Sequence, residues 1–238
     1  MFEARAEHLT LTEAIRLPLP DLDGGARRIA VLGAGSWGTT FAKVLADAGS
    51  DVMLWARRRE VAQEITESHR NSDYLPGINL PRTLRAHDSL EKVLAGAEQV
   101  YLSVPSQSLR TNLHSIRDIV PPDVPVVSLM KGVERGTGLR MSEVIRSELG
   151  IDDERIAVIS GPNLALEIAK REPTAAVVSS VNAETARQVA GAATNEYFRS
   201  FVNNDVIGTE FGGVLKNLIA VAVGIADGVG YGENTKAS

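Results

Sequence analysis

The hexapeptide GAGSWG, Gly33 to Gly38, constrains this chain more tightly than anything else in its 238 residues. It follows a continuous apolar run, Ile29 to Leu32, and opens a helical pattern from Thr39 to Ala48, which Gly49 ends. A second apolar run follows from Asp51 to Trp55. Strand, helix and strand packed into about 30 residues make a βαβ unit, whose strands are covered on both faces and so read as unbroken apolar runs. In that context the G-x-G-x-x-G spacing has a mechanical meaning. Gly33 permits the tight turn, Gly35 lets backbone approach a pyrophosphate, and Gly38 allows the helix to pack closely on the sheet. The N–H groups around Ser36 and Trp37 then face an anion at a helix N-terminus, where the helix dipole favours negative charge. A purely structural glycine turn can carry the same letters. The strand before it and the helix after it point to dinucleotide binding.

The alternation continues along the chain. Glu98 to Val104, Val124 to Met130, Ile156 to Ser160 and Thr174 to Ser180 are predicted strands. Helical patterns lie near Gln107 to Ile119, Leu139 to Leu149, Leu164 to Lys170 and Glu184 to Ala193, with Pro105, Pro121, Pro122 and Pro162 in the connections. The expected fold is α/β, a doubly wound Rossmann-type sheet, mostly parallel, forming a dinucleotide-binding domain over residues 27–205. Strand signals then stop. Residues 206–238 read as the first part of an all-helical domain, one long helix followed by GVGYGENTKAS. A single helix cannot bury its own apolar face, so this helical domain is expected to be incomplete. Residues 1–26 read as a mobile N-terminal extension with a short helix at Leu11 to Leu17. That segment mixes Glu, Asp and Arg without an apolar core, unlike a secretory leader.

Composition narrows the partners. A net charge of −5 gives no basic surface for nucleic acid. The absence of cysteine excludes disulfides and thiolate chemistry and fits a cytoplasmic protein. The longest apolar run, Leu218 to Ala226, falls short of the ~20 residues a bilayer requires, so no membrane insertion is expected. His8, His69, His87 and His114 are scattered without ligand spacing, so no metal is expected.

Four further features carry chemistry. At the end of the second strand, where an NAD site usually has an acid for the ribose hydroxyls, the chain reads WARRR, with no acid until Glu60. The guanidinium groups of Arg57 and Arg58 suit a 2′-phosphate, which favours NADPH over NADH; a solvated charge run is the alternative. Lys131, in SLMKGVE, stands just past a strand's carboxyl end, where doubly wound folds bind ligands, although a surface loop lysine would look the same. Gly161 and Pro162 form a turn after another strand, and Asn163 either caps the next helix or meets an anion at its N-terminus. Lys216 borders a helical stripe of Leu215, Leu218, Ile219, Ala222, Val223 and Ala226, with Gly212, Gly213 and Ala220 one turn away. It either snorkels to the surface or serves as an acid/base beside a carbonyl.

Five separated stretches, IAVLGAGSWGTTFAKVLADAG, NSDYLPGINLP, SLMKGVE, SGPNLALEIA and EFGGVLKNLIAVAVGIADGVGYGENTKAS, resemble the bacterial NAD(P)-dependent sn-glycerol-3-phosphate dehydrogenases. The resemblance implies reversible hydride transfer between NAD(P)H and dihydroxyacetone phosphate, giving sn-glycerol 3-phosphate for phospholipid synthesis. NADP is the implied cofactor, with NAD also accepted. Lys216 corresponds to the family's acid/base, with Asn217 beside it in the substrate site. Lys131 corresponds to a lysine touching both substrate and nicotinamide. Gly161 and Asn163 match substrate contacts, although many relatives carry Ser or Thr at the latter position. Ser36, Trp37, Arg57, Arg58, Tyr74 and Ala165 match residues at the cofactor. Family members start nearly at the first strand and run on past GENTKAS, where they carry an Asp partnering the lysine and an Arg–Asn pair holding the substrate phosphate. The chain is therefore expected to be C-terminally truncated. A homodimer, a non-catalytic dinucleotide-binding chain and a reductase of another 2-keto substrate all stay open.

Overall fold

The computed structural model describes residues 26–237, and the expected helix at Leu11 to Leu17 lies outside them. Eight strands form one sheet: β1 (Arg28–Leu32), β2 (Asp51–Trp55), β3 (Leu84–His87), β4 (Gln99–Leu102), β5 (Val126–Ser128), β6 (Ile156–Ser160), β7 (Thr174–Ser179) and β8 (Phe198–Asn203). Their order is β3-β2-β1-β4-β5-β6-β7-β8. Every neighbouring pair is parallel except β6 with β7. This is the expected doubly wound sheet.

The helices between the strands are α1 (Ser36–Asp47), α2 (Arg59–Gln63, continued by a π-turn to Ser68), α3 (Leu90–Leu94), α4 (Leu109–Ile116), α5 (Met141–Leu149), α6 (Ala165–Ala169) and α7 (Ala183–Ala193). They cover both faces, which is why the strands read as continuous apolar runs. Along β1, Ile29 and Val31 join one core with Phe41 and Leu45 of α1. Ala30 and Leu32 join the other with Leu109 and Leu113 of α4. At ~2 kcal/mol for each large apolar side chain fully buried, these two layers are the main stabilising term for the sheet.

The register sets up the site. Leu32 of β1 lies opposite Trp55 of β2 and Leu102 of β4, and Leu102 opposite Ser128 of β5. Four strands thus end on one line. The loops leaving them, at Gly33, Ala56, Ser103 and Leu129, open side by side at the carboxyl edge, the ligand side of such a fold.

Beyond β8, a long helix α8 (Val206–Val229) and a short α9 (Glu233–Ala237) complete the described chain. Asp205 caps α8, its Oδ1 accepting from the Gly208 N–H at 2.7 Å. The stripe expected to lie in a core is open to solvent here: Leu215, Leu218, Ile219 and Val223 are all exposed. Taken as the whole 24-residue helix rather than the shorter apolar run inside it, α8 is long and apolar enough, by length and composition alone, to cross a membrane.

Candidate functional site

At the carboxyl edge lies a cleft of about 800 Å³. The glycine loop forms its floor, and each glycine there has a separate physical requirement. Gly33 has φ +116°, and a Cβ on it would come within 2.3 Å of the Ser103 carbonyl oxygen of the neighbouring loop. A Cβ on Gly38 would lie 1.9 Å from the Gly33 oxygen, so α1 can start so close to the loop only without a side chain. Gly35 differs: a Cβ there would meet nothing within 4 Å, because the position faces the open cleft. It is also the N-cap of α1, and no side chain caps that end. The first N–H groups of α1 are left to an anion, and the cradle fits a dinucleotide pyrophosphate.

Trp37 forms a wall of the cleft. Its indole N–H donates to the Leu129 carbonyl at 3.1 Å, and its ring meets Phe41 edge-on at 5.5 Å. The hydrogen bond ties α1 to the end of β5, and the ring contact fixes the indole against its own helix. Asn71, fully buried, holds the loop from the other side. Its amide donates to the Ala34 carbonyl at 3.0 Å and to the Thr39 hydroxyl at 2.8 Å. The NSDYLPG stretch by itself assigns Asn71 no role, because a buried amide with both hydrogens donated is visible only in three dimensions.

Arg57, Arg58 and Tyr74 line one end of the cleft. The Arg58 guanidinium lies 5.7 Å from the Tyr74 ring centre and pairs with Asp73, Nη2 to Oδ2, at 2.5 Å. That ion pair raises the Arg58 pKa, which fixes its positive charge more firmly still. Lys131 and Asn163 line the other end. Asn163 does not cap α6, which corrects one of its two expected roles: Leu164 occupies the N-cap and no side chain bonds there. The Asn163 N–H instead donates to the Gly161 carbonyl at 2.9 Å, in a tight turn that keeps its side chain out of capping position. Its Oδ1 is buried without a hydrogen-bond partner, an arrangement that favours a ligand donor at this atom.

A second pocket, of about 470 Å³, adjoins the first and is lined by Ser160, Gly161, Thr209, Gly213 and Lys216 among others. Here α8 crosses the end of β6. A Cβ on Gly213 would sit 2.7 Å from the Ser160 hydroxyl and 3.4 Å from Lys131 Cγ, so this glycine lets the helix approach the sheet. The approach is locked by Glu210, a buried carboxylate that sequence reasoning passed over. It accepts from Arg140 Nη1 at 2.7 Å, from the Ser142 N–H at 2.9 Å and from the Ser142 hydroxyl at 2.7 Å. Lys131 connects the two pockets, its Nζ donating to the Gly161 carbonyl at 2.8 Å. Although the residue as a whole is exposed, withdrawal of its ammonium from water lowers its pKa, and the charge of Lys216 lowers it further.

Of the residues singled out from sequence, Gly33, Gly35, Ser36, Trp37, Gly38, Arg57, Arg58, Tyr74, Lys131 and Asn163 share the first cleft. Gly161 and Lys216 share the second. Ala165 and Asn217 line neither; the Ala165 carbonyl accepts from the Thr40 hydroxyl of α1 at 3.2 Å, and Asn217 is exposed on α8. Among the described residues, no three His, Asp or Glu side chains gather as a metal site.

Comparison with known proteins gives a consistent result. Residues 28–186 match the family model for the N-terminus of NAD-dependent glycerol-3-phosphate dehydrogenase, and residues 205–238 match that for its C-terminus. The chain is 70% identical over 208 residues to a glycerol-3-phosphate dehydrogenase [NAD(P)+] of Leifsonia xyli, covering 87% of this chain and 56% of that protein. It is 53% identical over 210 residues to one from Corynebacterium glutamicum, covering 88% of this chain and 63% of the relative. The crystal structure of glycerol-3-phosphate dehydrogenase from Coxiella burnetii superposes with a TM-score of 0.79 at 35% identity, over 89% of this chain and 64% of that one. The chain thus spans less than two thirds of the length of these relatives.

Proposed function

The chain belongs to the NAD-dependent glycerol-3-phosphate dehydrogenase family, and on that premise we propose that it binds NADPH, or less tightly NADH, and reduces dihydroxyacetone phosphate to sn-glycerol 3-phosphate. The observation carrying this reading is the junction at Lys131. One lysine lines the glycine-loop cleft and donates to Gly161, which lines the pocket of Lys216. A cofactor in the first compartment and a small carbonyl substrate in the second would meet there.

In this reading residues 27–205 are the dinucleotide domain and residues 206–238 begin the substrate domain. Ser36 and Trp37 lie against the pyrophosphate, while Arg57, Arg58 and Tyr74 hold the adenosine end. Ala165 is near the cofactor. Gly161 and Asn163 contact substrate, and Asn217 is assigned to the same site by its place beside Lys216. A bound nicotinamide supplies or takes up the hydride. Lys216, as its ammonium, donates a proton to the carbonyl oxygen as that oxygen becomes an alcohol, and in reverse it accepts one. Lys131 places a second positive charge beside the developing oxyanion. We read α8 as a core helix of the substrate domain rather than a membrane span, because its residues fall within the family's C-terminal match.

The exposed apolar face of α8 favours a second reading, a chain that binds the dinucleotide without turnover. Calorimetry with NADPH, beside an assay of NADPH oxidation dependent on dihydroxyacetone phosphate, separates the two. Turnover that Lys216→Ala abolishes, with the NADPH Kd unchanged, supports the enzymatic reading. Turnover surviving that substitution removes Lys216 from the chemistry. Binding without turnover favours the second reading, and no NADPH binding overturns both.

A further inference from the structure

The acid that the end of β2 lacks is supplied from elsewhere in the fold. In sequence, the strand runs straight into arginines. In space, Asp73, which lies 15 positions beyond Arg58 in the loop leading to Tyr74, brings its carboxylate to 2.5 Å from Arg58 Nη2. A second acid, Glu60, stands farther off, 4.0 Å from its Nε. Tyr74, next to Asp73, lies under the same guanidinium and lines the cleft. Arg58 is thus held between a carboxylate and an aromatic ring where an adenosine ribose would lie.

These two groups make opposite demands on the ribose 2′ position. A 2′-phosphate needs the Arg58 fork, and must displace the Asp73 carboxylate or sit beside its negative charge. A free 2′-hydroxyl needs an acceptor, which arginine cannot provide and a carboxylate can. We propose that Asp73 is a specificity-determining residue that restrains the preference for NADPH and keeps NADH as an alternative cofactor. The proposal rests on the dinucleotide reading of the cleft, and it assigns to a loop residue the discrimination normally sought at the strand end.

The test is calorimetric, on the full 238-residue chain, with NADPH, NADH and the fragment adenosine 2′,5′-bisphosphate, comparing the parent with Asp73→Asn. The pair is partly exposed, so the effect is modest: Asp73→Asn should tighten NADPH and the bisphosphate about fivefold. NADH should bind equally or more weakly. In an Arg58→Ala background the same substitution should move the NADPH to NADH ratio less than twofold. Two results overturn the proposal alone: both dinucleotides bind the parent but Asp73→Asn leaves their ratio unchanged, or the shift persists without Arg58. If the parent binds neither dinucleotide, the reading of the cleft falls and this proposal with it.

Discussion

Glu210 is the residue on which the position of Lys216 depends, and replacing it with alanine tests that dependence. The residue is 6% exposed, and its carboxylate accepts three hydrogen bonds, one from Arg140 and two from Ser142. Removing one member of a buried ion pair costs about 3–5 kcal/mol, largely because the other charge is left behind. Arg140 keeps a second partner, Glu143 at 3.2 Å, and its side chain is 16% exposed, which places the loss near the lower end, about 3 kcal/mol. Little of this should reach the sheet, whose two cores contain no residue of α8. Glu210→Ala should therefore open α8 locally. Hydrogen exchange read at the Ser142 amide and across residues 208–214 should accelerate about 100-fold, with the β1 and β4 amides unchanged. Glu210→Gln keeps an acceptor for Ser142 and should fall between. Replacing the pair together, Arg140→Met with Glu210→Leu, should recover most of the protection, since an apolar pair of similar volume has no stranded charge. Acceleration below fivefold in Glu210→Ala, or acceleration spread evenly over the sheet, would refute the idea that this carboxylate fixes the helix.

Two shorter predictions concern the cleft itself. Asn71→Ala leaves the Ala34 carbonyl and the Thr39 hydroxyl without their buried donor, so urea unfolding should show a loss of about 1–3 kcal/mol. NADPH affinity should fall as the glycine loop loosens; full affinity in the variant would show that the loop is held by its glycines alone. Lys131 has a pKa lowered first by desolvation and then by the charge of Lys216, so its amine should deprotonate below the ordinary lysine range. Lys216→Met removes the second cause and leaves the first. The pH midpoint of Lys131 modification by an amine reagent should therefore move upward, though not all the way to that of a free lysine. A midpoint that stays or falls would mean that the two ammonium groups do not sense each other.

The parts of this molecule that a reader of the sequence recovers are those set by local rules. The glycine loop is legible because three glycines, an apolar run and a helix pattern lie within a few residues and each answers a steric demand the structure shows, from Ser103 against Gly33 to Gly33 against Gly38. The strands β1, β2, β4, β5, β6 and β7 are legible because they are covered on both faces. The two that were missed, β3 and β8, form the edges of the sheet. There the pattern is broken by Arg85 and His87 in LRAH, and by Arg199 and Ser200 in FRSFVN, so neither reads as an apolar run. What escapes entirely is pairing at a distance. Glu210 reads as one acid before a glycine pair until Arg140, 70 positions earlier, is seen to need it. Asp73 reads as a loop residue until the turn before Tyr74 delivers it to Arg58. The same distinction separates the lysines. Lys131 could be placed from the end of its strand, because the fold itself puts ligands there. Lys216 could be placed only by resemblance, since its position at the second pocket depends on Gly213 packing against Ser160 and on the Glu210 anchor, neither of which helical periodicity encodes.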